Sequence, residues 1–101
     1  MLRIRKVAPT SDHRVRLALT NGDVVERDLG ALLWGPAFEP LRLDAHRFRQ
    51  LSVSRGTLVW PSDLDFDPDT IIWGGPRPSD PNARPPAFLA VESPRTSAVR
   101  S

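Results

Sequence analysis

The stretch His13-Arg14-Val15-Arg16-Leu17-Ala18-Leu19-Thr20-Asn21-Gly22-Asp23-Val24-Val25-Glu26-Arg27 decides the fold. From His13 to Thr20 the residues alternate, with Val15, Leu17 and Leu19 on one side and Arg14 and Arg16 on the other. That period of two is the pattern of a strand with one face buried. Asn21-Gly22 follows, a hairpin signal because both residues tolerate positive φ. Asp23 to Arg27 is then the returning strand. Two registers fit: a two-residue turn sets Leu19 opposite Val24, and a bulged three-residue turn sets Leu17 opposite Val25.

Outward from this hairpin, Leu2 to Val7 reads as a first strand. On the other side, Asp28 can cap a short helix in which Leu29, Leu32 and Leu33 share a face and Gly35 closes the end. Leu43 to Gln50 reads as a second short helix, capped by Asp44, with Phe48 turned inward. A second hairpin runs from Leu51 to Ser54 and from Thr57 to Trp60 around Arg55-Gly56. A two-residue turn there pairs Val53 with Leu58 and Leu51 with Trp60 on one face. Asp67-Pro68-Asp69 is a helix start, a cap followed by proline at the first helical position, and leads into Ile71, Ile72 and Trp73. The expected fold is α+β: two antiparallel hairpins plus an N-terminal strand, with short helices, in the order β-β-β-α-α-β-β-α.

The 101 residues allow one domain. Pro76, Pro78, Pro81, Pro85, Pro86 and Pro94 crowd the end of the chain, a density that breaks helices and central strands. The expected domain is therefore 1–75, with 76–101 a Pro/Arg-rich, mostly irregular tail. Within that tail, Ala87-Phe88-Leu89-Ala90-Val91 is an apolar run able to add a strand to a sheet. A domain of this size buries only about 60% of its unfolded surface, so large side chains such as Trp34, Trp60 and Trp73 carry much of its stability.

Fourteen Lys and Arg against twelve Asp and Glu give a net charge of +2. Residues 1–75 are balanced, and the excess lies in the tail, where Arg77, Arg84, Arg95 and Arg100 face only Asp80 and Glu92. Charge therefore argues weakly for nucleic acid. The chain has no cysteine, which excludes disulfides and thiolate metal sites. Met1-Leu2-Arg3-Ile4-Arg5-Lys6 holds no signal-peptide apolar run, and no stretch approaches the ~20 apolar residues of a membrane span. A cytoplasmic protein without membrane contact is expected.

Three segments together resemble the domain of unknown function 2442 family. They are Leu17-Ala18-Leu19-Thr20-Asn21-Gly22 leading into Asp28-Leu29, then Phe38-Glu39-Pro40-Leu41 followed by Phe48, and Trp60-Pro61-Ser62-Asp63-Leu64-Asp65-Phe66-Asp67-Pro68-Asp69. The last is the most specific, being similar to a Trp-Pro…Asp-hydrophobic-Asp-Pro signature. The family often has tyrosine where Ile72 or Trp73 stands, and the proline-rich tail lies outside its pattern. The resemblance implies no established activity. It does imply a frequent gene neighbour, a small protein of the domain of unknown function 4160 family, and with it a toxin–antitoxin-like pairing.

The candidate binding residues are Trp60, Asp63, Asp65, Asp67, Arg14 and Arg16. The alternating Asp63, Asp65, Asp67 and Asp69 suggest a calcium loop, but such a loop needs glycine at its sixth position and glutamate at its twelfth. Pro68 and Gly74 stand there, so Asp67 reads instead as a helix cap. Trp60 reads as core by its pairing in the hairpin. Arg14 and Arg16 form a basic stripe that meets water, an acidic partner or phosphate. His13 and His46 have no metal-ligand spacing, and no phosphate loop or nucleophile elbow occurs. Neither enzyme activity nor a cofactor nor a metal is expected. The first reading of function is a protein-interaction module whose partner is another small protein or a second copy. A nucleic-acid-associated regulator comes second, and an enzyme with a site near Asp63–Asp69 third.

Overall fold

Alternation along the first hairpin does put one face in and one face out. A computed structural model of the chain describes residues 2–33, 36–61 and 66–91. Strand β1 (Ile4–Pro9), β2 (Arg14–Leu19) and β3 (Val24–Asp28) form an antiparallel meander, and Val15, Leu17, Leu19 and Val25 are all buried on its inner face. The register between β2 and β3 is the bulged one, with Leu17 opposite Val25. Gly22 decides it. Its φ of 92° fits the left-handed position of a three-residue loop, Gly22 N–H donates to Leu19 O, and Leu19 N–H donates to Asp23 O. Asn21 fastens the same loop by accepting from Asp23 N–H through Oδ1.

The helix expected after Asp28 is a single turn. Asp28 Oδ1 accepts from Gly30 N–H at 3.0 Å, as a cap should, and Leu33 N–H reaches Leu29 O. Gly30 is a poor helix former, and Pro36 stands too close for a nucleus to propagate. Leu29, Leu32 and Leu33 are buried all the same. Gly35, expected to close this element, and Trp34 lie outside the described residues.

The helical segments come later. A 3-10 turn at Pro36–Phe38 leads into α1 (Glu39–Leu43) and α2 (Ala45–Phe48). Pro40 sits in the first turn of α1, where its missing N–H costs nothing. Asp44 caps α2 by accepting from His46 and Arg47 N–H, and Phe48 is buried. The second hairpin, β4 (Ser52–Ser54) and β5 (Thr57–Val59), pairs Val53 with Leu58 around Arg55 and Gly56, both at positive φ. Its turn meets the meander where Ile4 N–H donates to Gly56 O. Helix α3 (Pro68–Trp73) starts at Asp67, whose side chain accepts from Asp69 N–H, and ends at Gly74 with φ 77°.

The sheet does not end with the meander. Strand β6 (Phe88–Ala90) joins it parallel to β3, giving the order β1-β2-β3-β6, with β4-β5 as a separate two-stranded sheet. The anchors of β6 are Val91, fully buried and donating its N–H to Asp28 O, and Leu89, which packs over Gly74. A Cβ at Gly74 would stand 2.9 Å from Leu89 Cδ2. The apolar run noted in the tail is therefore the part of it that docks, while residues 76–87 are turns and irregular chain. No helix among the described residues is long and apolar enough to cross a membrane.

Candidate interaction surface

A buried arginine holds the inner face of the sheet to α3. Arg27 alternates with Val25 on β3, points inward and has 0% exposure. Its Nε donates to Ile71 O at 2.8 Å, Nη2 to Ile72 O at 2.7 Å and Nη1 to Glu26 O at 2.7 Å. Ile71 and Ile72 lie in the last turn of α3, where backbone carbonyls have no intrahelical partner. A cation there also opposes the negative end of the helix dipole. Burial lowers this guanidinium from its ordinary value to about 10, so it remains charged at neutral pH. The two-residue spacing from Val25 was the signal that would have placed Arg27 inside.

The outer face is different. Arg14 and Arg16 lie there as expected, but each meets a carboxylate on β3: Arg14 Nε is 3.6 Å from Asp28 Oδ2, and Arg16 Nη2 is 3.7 Å from Glu26 Oε1. Arg14 also covers the Phe88 ring, 5.6 Å from its centroid. Phe88 is 52% exposed and Val24 59%, and both are on this side. The ladder pairings put Val24 beside Ala18, and Phe88 beside Glu26. The open face is thus a mixed surface of paired charges and exposed apolar groups.

Of the other candidates, Trp60 is a core residue, 3% exposed, with Nε1 donating to Phe48 O at 3.0 Å. It belongs to an aromatic string, between Phe48 at 6.0 Å and Phe66 at 5.7 Å, with Phe38 stacked beyond Phe66. Asp67 is exposed and caps α3. Asp63 and Asp65 lie outside the described residues. His13 packs edge-on to Phe48, and Nε2 faces Arg42 O at 2.9 Å, so that nitrogen carries a proton. His46 is exposed near Gln50. No group of three or more His, Asp or Glu able to hold a metal occurs among the described residues.

A concavity of about 590 Å³ opens between Leu2, the hairpin tip at Thr20 and Asn21, Trp73 and the turn carrying Arg77 and Asp80. Trp73 is partly buried, and its Nε1–H has no hydrogen-bond partner among the described residues. No local pattern marks this cleft, since one wall is the stretch from Arg77 to Ala83, which carries no apolar periodicity.

A family model described as protein of unknown function (DUF2442) matches residues 4–77. The chain belongs to the DUF2442 family. No curated protein and no solved structure gave a match. The DUF2442 match takes in the meander, both short helices, the second hairpin and α3, and so includes Arg27 with the carbonyls it holds. It stops before β6, so Phe88 and the Leu89 contact with Gly74 lie beyond the matched residues.

Proposed function

We propose that this DUF2442 chain is a protein-interaction module whose working surface is the outer face of the four-stranded sheet. The observation that carries the reading is the company Arg14 and Arg16 keep. Each faces a cross-strand carboxylate, and Val24 and Phe88 stand exposed beside them. Arginines reading phosphate would present unpaired charge to it, whereas apolar groups rimmed by both signs of charge suit a protein surface. A toxin–antitoxin-like pairing with a small protein of the domain of unknown function 4160 family is part of this proposal and rests on the resemblance alone. Co-expression of the two proteins, with and without Val24→Asp, tests it. Co-purification that the substitution abolishes, at unchanged melting temperature, is the expected result. A titration with duplex DNA separates the nucleic-acid reading: tight binding that weakens steeply with salt would overturn the protein-interaction reading.

A further inference from the structure

The outer face is complementary to itself, and we infer that its occupant is a second copy of this chain, bound face to face about a two-fold axis running along the strands between β2 and β3. The inference rests on the interaction reading above and adds a second copy as the occupant of that face, which any other small protein would have to displace. It follows from the ladder register. One row across the sheet reads Ala8 on β1, Arg16 on β2, Glu26 on β3 and Phe88 on β6. The neighbouring row reads Lys6, Ala18 and Val24, and the one on the other side reads Arg14, Asp28 and Ala90. All of these side chains share the outer face, because residues directly opposite in a ladder point the same way.

A two-fold axis along the strands reverses each row and lays it on itself. Arg16 of one copy then lies over Glu26 of the other, and Arg14 over Asp28. Val24 lies over Ala18 and Phe88 over Ala8, so large apolar groups meet small ones across the gap of about 10 Å between packed sheets. An axis across the strands would instead stack the Arg14–Arg16 column on itself and the Glu26–Asp28 column on itself. Charge therefore selects the first arrangement. The contact is isologous, as closed dimers require. Four strands at about 4.8 Å spacing make a face only about 19 Å wide, at the small end of stable interfaces. The dimer should therefore form in the range of ~10 to ~100 µM.

Sedimentation velocity from about 5 to about 500 µM reads this directly. The full chain should move from monomer to dimer across that range. Arg16→Glu alone places carboxylate over carboxylate twice in the symmetric contact, and should weaken the dimer at least about tenfold. Glu26→Arg alone should do the same. The double variant R16E/E26R restores opposite charges across the axis and should recover dimerisation. Melting temperatures should change little throughout, since the pair within one chain is exposed. A chain that stays monomeric at every concentration, or a double variant no better than the singles, overturns the second copy as occupant. The interaction reading itself then stands if Val24→Asp still abolishes binding of a different protein, and falls if it does not.

Discussion

The two faces of the sheet use the same residue type in opposite ways. Arg27, on the inner face, spends its donors on backbone carbonyls and faces no carboxylate among the described residues. Arg14 and Arg16, on the outer face, sit half exposed beside carboxylates. Coulomb attraction would suggest that the ion pairs matter more, yet water and salt screen them. The buried guanidinium has no such competitor, and each carbonyl it satisfies would otherwise be an orphan in the interior. The position of a polar contact, more than its formal charge, decides what it contributes.

The largest effect should come from Arg27→Ala. It deletes a large buried side chain and strands Ile71 O and Ile72 O, a loss on the order of 3 kcal/mol or more. Arg27→Lys should fall well short of rescue, because an ammonium cannot span two carbonyls as the planar fork does. Chemical denaturation of the three proteins checks both statements. The pH dependence also carries a sign. The folded guanidinium is lowered to about 10 by desolvation. Below that value both folded and unfolded chains keep the proton, so Arg27 adds no slope. Above it the unfolded chain holds the proton longer, and this group contributes stability as pH rises. The deficit of Arg27→Ala should therefore be constant between about pH 6 and about pH 9. A deficit that changes across that window would mean Arg27 is coupled to another titrating group.

The tryptophans extend the contrast to neutral donors. Trp60 Nε1–H is buried and bonded to Phe48 O, whereas Trp73 Nε1–H is buried and has no partner among the described residues. Trp60→Phe loses a bond, leaves that carbonyl only the long 3.4 Å contact from Leu51 N–H, and shrinks the ring at the centre of the aromatic string, so about 2 kcal/mol should disappear. Trp73→Phe removes an unsatisfied donor together with some apolar area, and should be close to neutral. Equal losses in thermal unfolding would show that ring volume, not hydrogen bonding, sets both values.

These differences also mark where the sequence could be read. The hairpins were legible because Val15, Leu17, Leu19, Val53 and Leu58 follow a local period, and the caps at Asp44 and Asp67 because capping is a matter of adjacent residues. The register at Asn21-Gly22 was not, since those two residues serve either loop and only the φ of Gly22 and its hydrogen bonds separate them. Helix α1 was missed because Pro40 looks like a breaker until its place in the first turn is known. The turn after Asp28 was read as a helix because its three leucines have helical spacing, which burial also rewards in a bare turn. Of the candidate surface, Arg14 and Arg16 were foreseen. Their carboxylate partners and Phe88 depend on strand order, including a parallel pairing across 62 positions (Glu26 with Phe88), which no local pattern encodes.

Asp67 tests the exposed end of the helix whose buried end Arg27 holds. Its carboxylate accepts from Asp69 N–H at a long 3.4 Å, in the open. Asp67→Ala should cost about 1 kcal/mol or less, a modest drop in melting temperature and a fraction of the Arg27→Ala effect. A loss as large as that of Arg27→Ala would mean that α3 is held from its N-terminus and that the guanidinium clasp is secondary. Binding to any protein partner should be unaffected by Asp67→Ala once the small loss of stability is allowed for, because Asp67 is not on the outer sheet face.

The smallest effect on stability belongs to the outer ion pairs. The Arg14–Asp28 and Arg16–Glu26 contacts are longer than hydrogen bonds and largely open to solvent. Arg14→Ala and Arg16→Ala should each change stability by less than about 0.5 kcal/mol, and raising the salt concentration should remove even that. Arg14→Ala also uncovers the Phe88 ring, so of the two it is the one expected to show a residual loss in high salt, from a contact that is only partly electrostatic. Such insensitivity is what an interaction face needs: residues that contribute almost nothing to holding the monomer together are free to be arranged for something else. If instead either substitution cost as much as Trp60→Phe, the outer charges would be part of the scaffold, the contrast between the two faces would collapse, and this surface would not be one set aside for a partner.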